Sequence, residues 1–439
     1  MADPTSPTPR IELWGGLECS VVRIGDSYRD QFAETGHWDR SGDFEAVAEL
    51  GIRTLRYPVL WEHVAPERPD HSDFTRQDER MAELRRLGIE PVVGLIHHGS
   101  GPRYTSLLDP GFAEGLAAHA REVARRYPWV TMFTPVNEPL TTARFSGLYG
   151  HWYPHARDER SFLRMLVNQC LAVALSMAAI REVIPGARLV QTEDLGKVFA
   201  TEHMQYQADY ENERRWLSFD LLCGKVDRSH PFYRPLRRAG VTDAELGAFS
   251  ERPCIPDIIG INHYLTSERF LDHKWWAYRP EFQGSNGRDR YADAEAVRIL
   301  HLADLGPLPR LREAWERYRL PLAVTEAHHF CTADEQVRWL LEVWEAANTI
   351  AEEGADIRAV TVWSMFGALD WNSLLTERNG VYEHGPFDVR ENPPRRTLLA
   401  LAAQELALNG GHEGRDAVPL GWWKRPERAY EPVRGRRAG

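Results

Sequence analysis

Short apolar runs alternate with longer amphipathic stretches along the 439 residues of the chain. The apolar runs have the length and the β-branched and aromatic content of buried strands, and the stretches between them carry apolar side chains at helical spacing. This pattern predicts strands over residues 11–17, 54–59, 90–97, 130–137, 188–192, 257–264, 320–326 and 359–365. It predicts the main helices over residues 43–50, 77–87, 110–127, 162–183, 305–318, 334–353 and 395–408.

Strands that alternate with helices about eight times predict an α/β protein built as a parallel (β/α)8 TIM barrel. We expect a single barrel domain over residues 11–410, a disordered N-terminus over residues 1–10 and a tail or linker over residues 411–439. A bare barrel needs about 250 residues, so the excess is predicted to lie in long βα loops. Aromatic-rich insertions within residues 195–257 and 274–278 are predicted to cover a pocket.

The composition of the chain limits which kinds of molecule it can be expected to bind and where in the cell it can be expected to lie. A formal net charge of −11 argues against a nucleic-acid surface and fits a neutral, sugar-like substrate. The first ten residues have no apolar h-region, and no stretch offers about 18 uninterrupted apolar residues, so we expect neither export nor membrane insertion. Five cysteines without paired short spacing predict reduced thiols in a cytoplasmic protein. Composition leaves homo-oligomerisation open.

Two predicted strands end in a glutamate. Glu138 follows the run over residues 130–137, where Pro139 cannot donate to a continuing ladder, and Glu326 closes the run over residues 320–326. Because the carboxyl ends of barrel strands meet at one face, the two carboxyl groups can face each other across its mouth. One could then protonate a glycosidic oxygen while the other attacks the anomeric carbon, and a separation of about 5–5.5 Å would predict retention of configuration.

The motifs around these glutamates resemble those of a known family. Asn137-Glu138-Pro139, Thr325-Glu326 and Trp363-Ser364 are similar to motifs of glycoside hydrolase family 1, the β-glucosidase-like (β/α)8 barrels, and the similarity runs from about residue 14 to about residue 409. The resemblance implies a retaining β-glycosidase with Glu138 as acid/base and Glu326 as nucleophile. It implies a small glycoside or oligosaccharide as substrate, and neither metal nor cofactor.

Further residues match supporting positions of that family. By this resemblance, Arg56 holds the nucleophile ionised, Asn137 contacts the sugar 2-hydroxyl, and Tyr264 donates to the nucleophile. Substrate contacts are implied for residues that match the family's sugar-binding positions or lie beside them: His97 at a ring hydroxyl, Asn262 near Tyr264, Trp363 under the ring, and the ring N–H of Trp371 at a hydroxyl. A surface ion pair for Arg56, and core packing for the aromatic residues, remain the alternatives.

Neighbouring histidines raise a metal site as another interpretation. His97 and His98 are adjacent, as are His328 and His329. Zinc sites need three or four converging ligands, and adjacent side chains on a strand point to opposite faces. We therefore expect no metal.

The chain departs from the family where the sugar is recognised. The family places a glutamine where this chain has Val22, which leaves Glu18 as the nearby polar candidate, and a glutamate where this chain has Asp370. The segment after Trp363-Ser364 also lacks the family's Asp-Asn pair. We therefore expect a β-glycosidase with atypical sugar specificity. The alternative is a catalytically silent carbohydrate-binding or partner domain on the same barrel.

Overall fold

Eight parallel strands close into a barrel in the computed structural model, which describes residues 10–412 and 418–429. The strands are β1 (Glu12–Gly16), β2 (Thr54–Pro58), β3 (Glu90–His97), β4 (Met132–Asn137), β5 (Arg188–Asp194), β6 (Ile258–Asn262), β7 (Leu322–Ala327) and β8 (Ile357–Val362). Each strand pairs in parallel with the next, and β8 pairs with β1 to complete the ring. The predicted (β/α)8 barrel is confirmed, and each predicted strand overlaps an observed one.

Helices surround the barrel. The helix labelled after each strand is α1 (Asp43–Glu49), α2 (Thr75–Leu87), α3 (Phe112–Arg126), α4 (Glu159–Val183), α5 (Leu217–Leu222), α6 (Pro307–Tyr318), α7 (Ala333–Glu352) and α8 (Leu398–Asn409). Their apolar faces pack on the outer face of the strands in one large cluster of buried side chains. Seven of these helices overlap a predicted one, and α5 was not predicted.

Helix α4 is the longest helix of the barrel, and its N-cap Asp158 accepts a hydrogen bond from the backbone N–H of Ser161. It is long and apolar enough to cross a membrane by length and composition, but 72% of its most apolar window is buried inside the fold. The helix packs along α3. Its apolar character therefore follows from its position in the core, where it is covered nearly all round.

The barrel interior is filled below the mouth by one side chain from each of seven strands. These side chains form a cluster of their own: Trp14, Val92, Met132, Val190, Ile258, Ala323 and Ala359. Such a layer closes the barrel as a packed core rather than a pore. Polar side chains at the carboxyl ends of the strands consequently lie above an apolar floor.

The βα loops carry the additional elements. The loop after β1 holds an antiparallel hairpin (Val21–Ile24 with Ser27–Asp30), and strands from the loops after β5 and β6 form a four-stranded sheet (Val198–Ala200, Arg269–Asp272, Gln283–Ser285 and Arg290–Glu295). The helices of these loops are Gln31–Glu34, Trp61–Val64, Pro139–Ala143 followed by the π-turn Arg144–Leu148, Gln205–Arg214, Tyr233–Arg238 and Asp243–Glu251. Two short strand pairs follow β8: Ala368–Leu369 with Tyr382–Glu383, and Phe387–Asp388 with Arg395–Arg396.

The aromatic insertions were expected to cover a pocket, and this expectation needs correction for the first of them. Trp216, Phe219 and Phe232 are buried in the main core cluster, because the helices that carry them pack on the barrel. Trp276 of the second insertion is 64% exposed. Most aromatic content of the first insertion thus stabilises the fold.

The segments that flank the barrel are described in part. Residues 1–9, 413–417 and 430–439 lie outside the described residues, so the predicted disorder of the N-terminus and most of the predicted tail stay predictions. In the described part of the tail, Trp422 stacks on His329 and Trp423 packs edge-to-face on Trp339 of α7. This part of the chain therefore packs on the barrel.

Candidate active site

Glu326 lies near the end of β7, where the pairing register with β6 shifts after Val324. The Glu326 carboxylate lies beside Arg56 of β2. Arg56 Nη1 donates to Glu326 Oε1 over 2.9 Å, and the hydroxyl of Tyr264 donates to Glu326 Oε2. Two donors, one from β2 and one that follows β6, thus hold the carboxylate, which is only 2% exposed.

The charge state of Glu326 is set by opposing effects. Burial raises the pKa of its carboxyl group above the usual value, while the Arg56 guanidinium and the Tyr264 hydroxyl lower it. Burial and the nearby carboxylates also raise the pKa of Tyr264 well above its usual value, so its hydroxyl keeps its proton and remains a donor. These contacts are the ones expected of a carboxylate kept ionised for nucleophilic attack.

Glu138 follows β4 in a left-handed backbone conformation with φ of 45°. Pro139 then begins the short helix Pro139–Ala143, as expected for a residue that cannot donate to the sheet. The side-chain amide of Asn262 donates to Glu138 Oε1. Burial and the negative charge of Glu326 raise the pKa of Glu138 well above its usual value. A carboxylic acid that stays protonated near neutral pH is the state a general acid requires.

Asn137, the last residue of β4, is fixed from both ends of its amide. Its Oδ1 accepts from Arg56 Nη2 and from Thr192 Oγ1, each over 2.7 Å. Its Nδ2 therefore points away from these donors and lies 3.3 Å from His97 Nε2 and 3.4 Å from His98 Nε2. Asn137 consequently connects the nucleophile's arginine to the two histidines.

The expectation that adjacent histidines point to opposite faces is wrong for this pair. His98 lies just beyond β3 with φ of 56°, and its ring centroid is 4.9 Å from that of His97. Burial and Arg56 lower the pKa of His98 to about 3, and burial lowers that of His97 well below its usual value, so both rings are neutral. Within residues 10–412 and 418–429, no group of three or more histidine, cysteine, aspartate or glutamate side chains has an arrangement that could hold a metal ion.

Trp363 follows β8 and is joined to Ser364 by a cis peptide bond. Its indole stacks on His97, with centroids 5.6 Å apart and planes 7° from parallel. A Cβ on Gly16 would lie 2.5 Å from this indole, so the glycine in β1 is what allows the ring to approach the strand. The ring thereby forms one side of the site beside Arg56, whose guanidinium carbon lies 4.8 Å from its centroid.

Glu18 belongs to the same buried surroundings. Its Oε1 accepts from the backbone N–H of Ser20 over 2.9 Å and from the Ser20 hydroxyl, and its own N–H donates to Ser364 Oγ over 2.8 Å. Burial raises the pKa of Glu18 to about 7, and the charge of Glu326 adds to this. The contact predicted between Glu18 and substrate stays a prediction.

Asp370 is held by protein donors at both oxygens. Arg29 Nη2 donates to Oδ2 over 2.9 Å and the backbone N–H of Val381 donates to Oδ1 over 2.8 Å. The neighbouring Trp371 differs, because its ring N–H is buried without a hydrogen-bond partner among the described residues. A free donor here is what the predicted contact with a sugar hydroxyl would need. Each carboxylate oxygen of Asp370 accepts one hydrogen bond from the protein and keeps a second lone pair, so the predicted contact between Asp370 and substrate stays a prediction.

Val22 is fully buried in a small apolar cluster with Trp152 and Leu375. We call these three side chains the apolar wall. The ring of Trp371 packs against this wall.

The structure thus brings most of the predicted residues together at the carboxyl ends of the strands. The hydrogen bonds and ring contacts of the site involve eight of the predicted residues: Arg56, His97, Asn137, Glu138, Asn262, Tyr264, Glu326 and Trp363. Their roles in catalysis or binding stay predictions.

Sequence reasoning missed several residues of the site. Thr192, Glu193 and Asp194 end strand β5, and the charges of the two acids help raise the pKa of Glu138. Polar residues at the end of an apolar run are the same signal that identified Glu138, so these three were open to prediction. Trp152 and Arg29 carry no comparable local signal.

No family profile matches the chain, but individual proteins and solved structures do. The chain is 23% identical over 412 residues to β-glucosidase 47 of Arabidopsis thaliana, covering 85% of this chain and 76% of that one. It is 23% identical over 415 residues to β-glucosidase 4 of Oryza sativa subsp. japonica, covering 84% of each. The solved structure of a Thermotoga maritima family 1 glycoside hydrolase, complexed with a cyclophellitol analogue transition state mimic, matches with a TM-score of 0.75 at 17% identity, covering 92% of this chain and 99% of that one.

Proposed function

We propose that this chain, a divergent member of glycoside hydrolase family 1, hydrolyses a β-glycosidic bond with retention of configuration. Glu326 is the nucleophile and Glu138 the acid/base in this proposal. Its substrate is a small glycoside or oligosaccharide. The relatives named above are β-glucosidases, which supports the reaction class and leaves the sugar open.

The observation that carries the proposal is that two buried carboxyl groups at one face of the barrel have different hydrogen-bond donors. The guanidinium of Arg56 and the hydroxyl of Tyr264 donate hydrogen bonds to Glu326, and both favour its ionised form. The side-chain amide of Asn262 donates a hydrogen bond to Glu138, while burial and the nearby charge of Glu326 favour its protonated form. Two neighbouring carboxyl groups whose surroundings push their pKa values apart are the expected pair for an acid and a nucleophile.

The first step forms a glycosyl-enzyme. The Glu326 carboxylate attacks the anomeric carbon while the Glu138 carboxylic acid gives its proton to the departing oxygen, so one C–O bond forms and another breaks. Esterification removes the charge of Glu326, and the pKa of Glu138 falls. The Glu138 carboxylate then takes a proton from water while the water oxygen attacks the same carbon. The bond from that carbon to Glu326 breaks, which restores the Glu326 carboxylate and releases the sugar with its original configuration.

The experiment that tests this proposal is labelling with a panel of 2-deoxy-2-fluoro β-glycosides that carry a dinitrophenolate leaving group. Intact mass spectrometry should show the addition of one fluoroglycosyl group, and peptide mapping should place it on Glu326. Glu326→Gln is the matched control and should stay unlabelled. A folded wild-type protein that neither turns over nor is labelled by any member would refute the activity and favour the catalytically silent carbohydrate-binding or partner domain.

A cytoplasmic location is part of the same proposal. The five cysteines are unpaired in the structure, as reduced thiols would be. Fractionation of the native host with an antibody against the protein should recover it with cytoplasmic enzymes, and recovery outside the cell would contradict this location.

A further inference from the structure

We propose that Glu193 is a positioning residue for the acid/base Glu138. Glu193 lies next to the end of β5 and binds the backbone of the residues that follow Glu138. By holding this backbone, it directs the Glu138 carboxyl group toward the oxygen that leaves. The inference rests on the proposed function and deepens it, because it assigns a residue that keeps the general acid in place.

The backbone at Glu138 needs support from outside its own segment. Glu138 has φ of 45° and ψ of 66°, a left-handed conformation that costs free energy in a residue with a side chain and persists only where the surroundings hold it. It is also the N-cap of the short helix Pro139–Ala143, but its side chain makes no capping hydrogen bond. Its carboxyl group accepts from Asn262 instead. The N–H groups of the first helical turn therefore need another acceptor.

Glu193 supplies this acceptor from strand β5. Its Oε2 accepts from the backbone N–H of Leu140 over 2.9 Å, and its Oε1 accepts from the backbone N–H and from the hydroxyl of Thr141, each over 3.2 Å. Pro139 has no N–H, so these are the first two backbone donors after Glu138. Burial raises the pKa of Glu193 to about 7, but both of its oxygens keep lone pairs in either protonation state. The Glu193 side chain, which is 0% exposed, thus does for this helix what an N-cap side chain does elsewhere.

A second contact holds the carbonyl side of the same backbone. Gln169 of α4 donates through Nε2 to the backbone oxygen of Pro139 over 3.0 Å. Strand β5 also pairs directly with β6, whose last residue, Asn262, holds the Glu138 carboxyl group. The backbone after Glu138 and the Glu138 carboxyl group are therefore fixed by two strands that are bonded to each other. The barrel, rather than the loop after β4, determines where the acid lies.

Glu193→Gln tests this arrangement with little change of shape. Glutamine has one oxygen and one NH2 group where the carboxyl group has two oxygens, so its NH2 group would face the N–H of Leu140 or Thr141 and leave that buried donor without an acceptor. We expect the segment to move and the Glu138 carboxyl group to move with it, and a displacement of about 1 Å can lower a rate by about 10²-fold. General-acid catalysis contributes about 10²- to 10⁴-fold. A loss of about 30- to 100-fold is therefore expected, and it should fall on leaving groups that need a proton.

The readout is the dependence of kcat/KM on the leaving group, measured with 2,4-dinitrophenyl and phenyl β-glycosides of the sugar that labels best in the 2-fluoro panel. Glu193→Gln should lose less than about threefold on the dinitrophenyl substrate and about 30- to 100-fold on the phenyl substrate. The matched control is Glu268→Gln, which changes another fully buried glutamate whose carboxyl group accepts a backbone N–H, that of Gly306 before α6. It should change kcat/KM for both substrates by the same factor. A folded Glu193→Gln protein that loses equally on both substrates overturns the inference, because a merely structural role would have this effect.

Two further variants make the result decisive. Glu138→Ala has no acid to position, so adding Glu193→Gln to it should leave its leaving-group dependence unchanged, and an added loss confined to the phenyl substrate overturns the inference. If Glu193→Gln fails to fold, Thr141→Val decides, because it removes one donor to Glu193 Oε1 and keeps the backbone N–H. Thr141→Val should lose about three- to tenfold on the phenyl substrate alone. Equal loss on both substrates, or no loss, overturns the inference.

The same measurements separate this inference from the proposed function. A folded wild-type protein that neither turns over a glycoside nor is labelled by any 2-fluoro glycoside overturns both. Wild-type turnover with a selective loss on the phenyl substrate in Glu138→Ala, but an unchanged leaving-group dependence in Glu193→Gln, overturns this inference alone.

Discussion

Replacing Arg56 by methionine tests how the protein keeps its nucleophile ionised. Arg56 is 6% exposed and donates to Glu326 Oε1, to the backbone oxygen of Thr325 and to Asn137 Oδ1. Methionine fills much of the same volume but supplies neither charge nor donors. The Glu326 carboxylate then keeps the hydroxyl of Tyr264 as its partner.

The size of the effect follows from the hydrogen bond that is lost. A hydrogen bond to a charged group is worth about 1.5–3 kcal/mol. Because about 1.36 kcal/mol corresponds to one pKa unit, the pKa of Glu326 should rise by about 1–2 pH units in Arg56→Met. Attack requires the ionised form, so the acidic limb of the kcat/KM profile should move by the same amount toward higher pH.

The assay is kcat/KM against pH with a dinitrophenyl β-glycoside, whose leaving group needs little protonation, so that the limb reports on Glu326. Arg53→Met removes a charge from an exposed position three residues away and should leave the limb in place. Thermal melting followed by circular dichroism checks that both variants fold. A folded Arg56→Met enzyme with an unmoved acidic limb would refute the reasoning that Arg56 sets the charge of Glu326.

Four other predictions concern the two glutamates of the site and two buried groups elsewhere in the fold, Glu62 and Trp423. Glu326→Gln should fold normally and form no glycosyl-enzyme by mass spectrometry, because an amide cannot attack the anomeric carbon; near-normal turnover would end the assignment. Glu138→Ala should lose least rate on dinitrophenyl glycosides, and azide should restore its deglycosylation; equal loss for all leaving groups without rescue would contradict the acid/base role. Burial raises the pKa of Glu62 from 4.5 to about 7 in the folded protein. A group whose pKa is higher in the folded state stabilises the fold fully below its ordinary pKa of 4.5, and this stabilisation is lost as the pH rises through 7. Relative to Glu62→Gln, the wild type should therefore lose about 3 kcal/mol of unfolding free energy between about pH 5 and pH 8, and a constant difference in urea melts would disprove this. Trp423→Ala should lower the unfolding free energy by about 3–5 kcal/mol, because this ring is 2% exposed and donates to Glu342; a change in urea midpoint equivalent to less than about 1 kcal/mol would show that the tail contributes little.

The local pattern of apolar and polar residues was sufficient to predict the barrel and the positions of Glu138 and Glu326 at the ends of its strands. Strands and helices have distinct periods of apolar side chains, so each run could be assigned from its own residues. The positions of Glu138 and Glu326 followed because a strand's end is marked by the residues at that end, and barrel topology brings all such ends to one face. The predicted sugar contacts of Trp371 and Trp363 depended on resemblance to a family rather than on periodicity.

The contacts of the residues that were predicted to bind the sugar, or that lie beside them, are visible only in the tertiary structure. The carboxylate of Asp370 accepts a hydrogen bond from Arg29, 341 residues away in the chain, and no local pattern indicates this partner. His98 was expected to point away from His97, but its left-handed backbone turns both rings toward Asn137.

The physical reason is the range of the interactions. The free energy of a buried polar group depends on which partner reaches it, and here the partners come from loops far apart in the sequence. Sequence periodicity reports the burial of a face, whereas the packing of Val22 beside Trp152 and Leu375 depends on three separate βα loops meeting in space. The residues proposed for the reaction could therefore be predicted from the sequence, whereas the packing around Val22 could not.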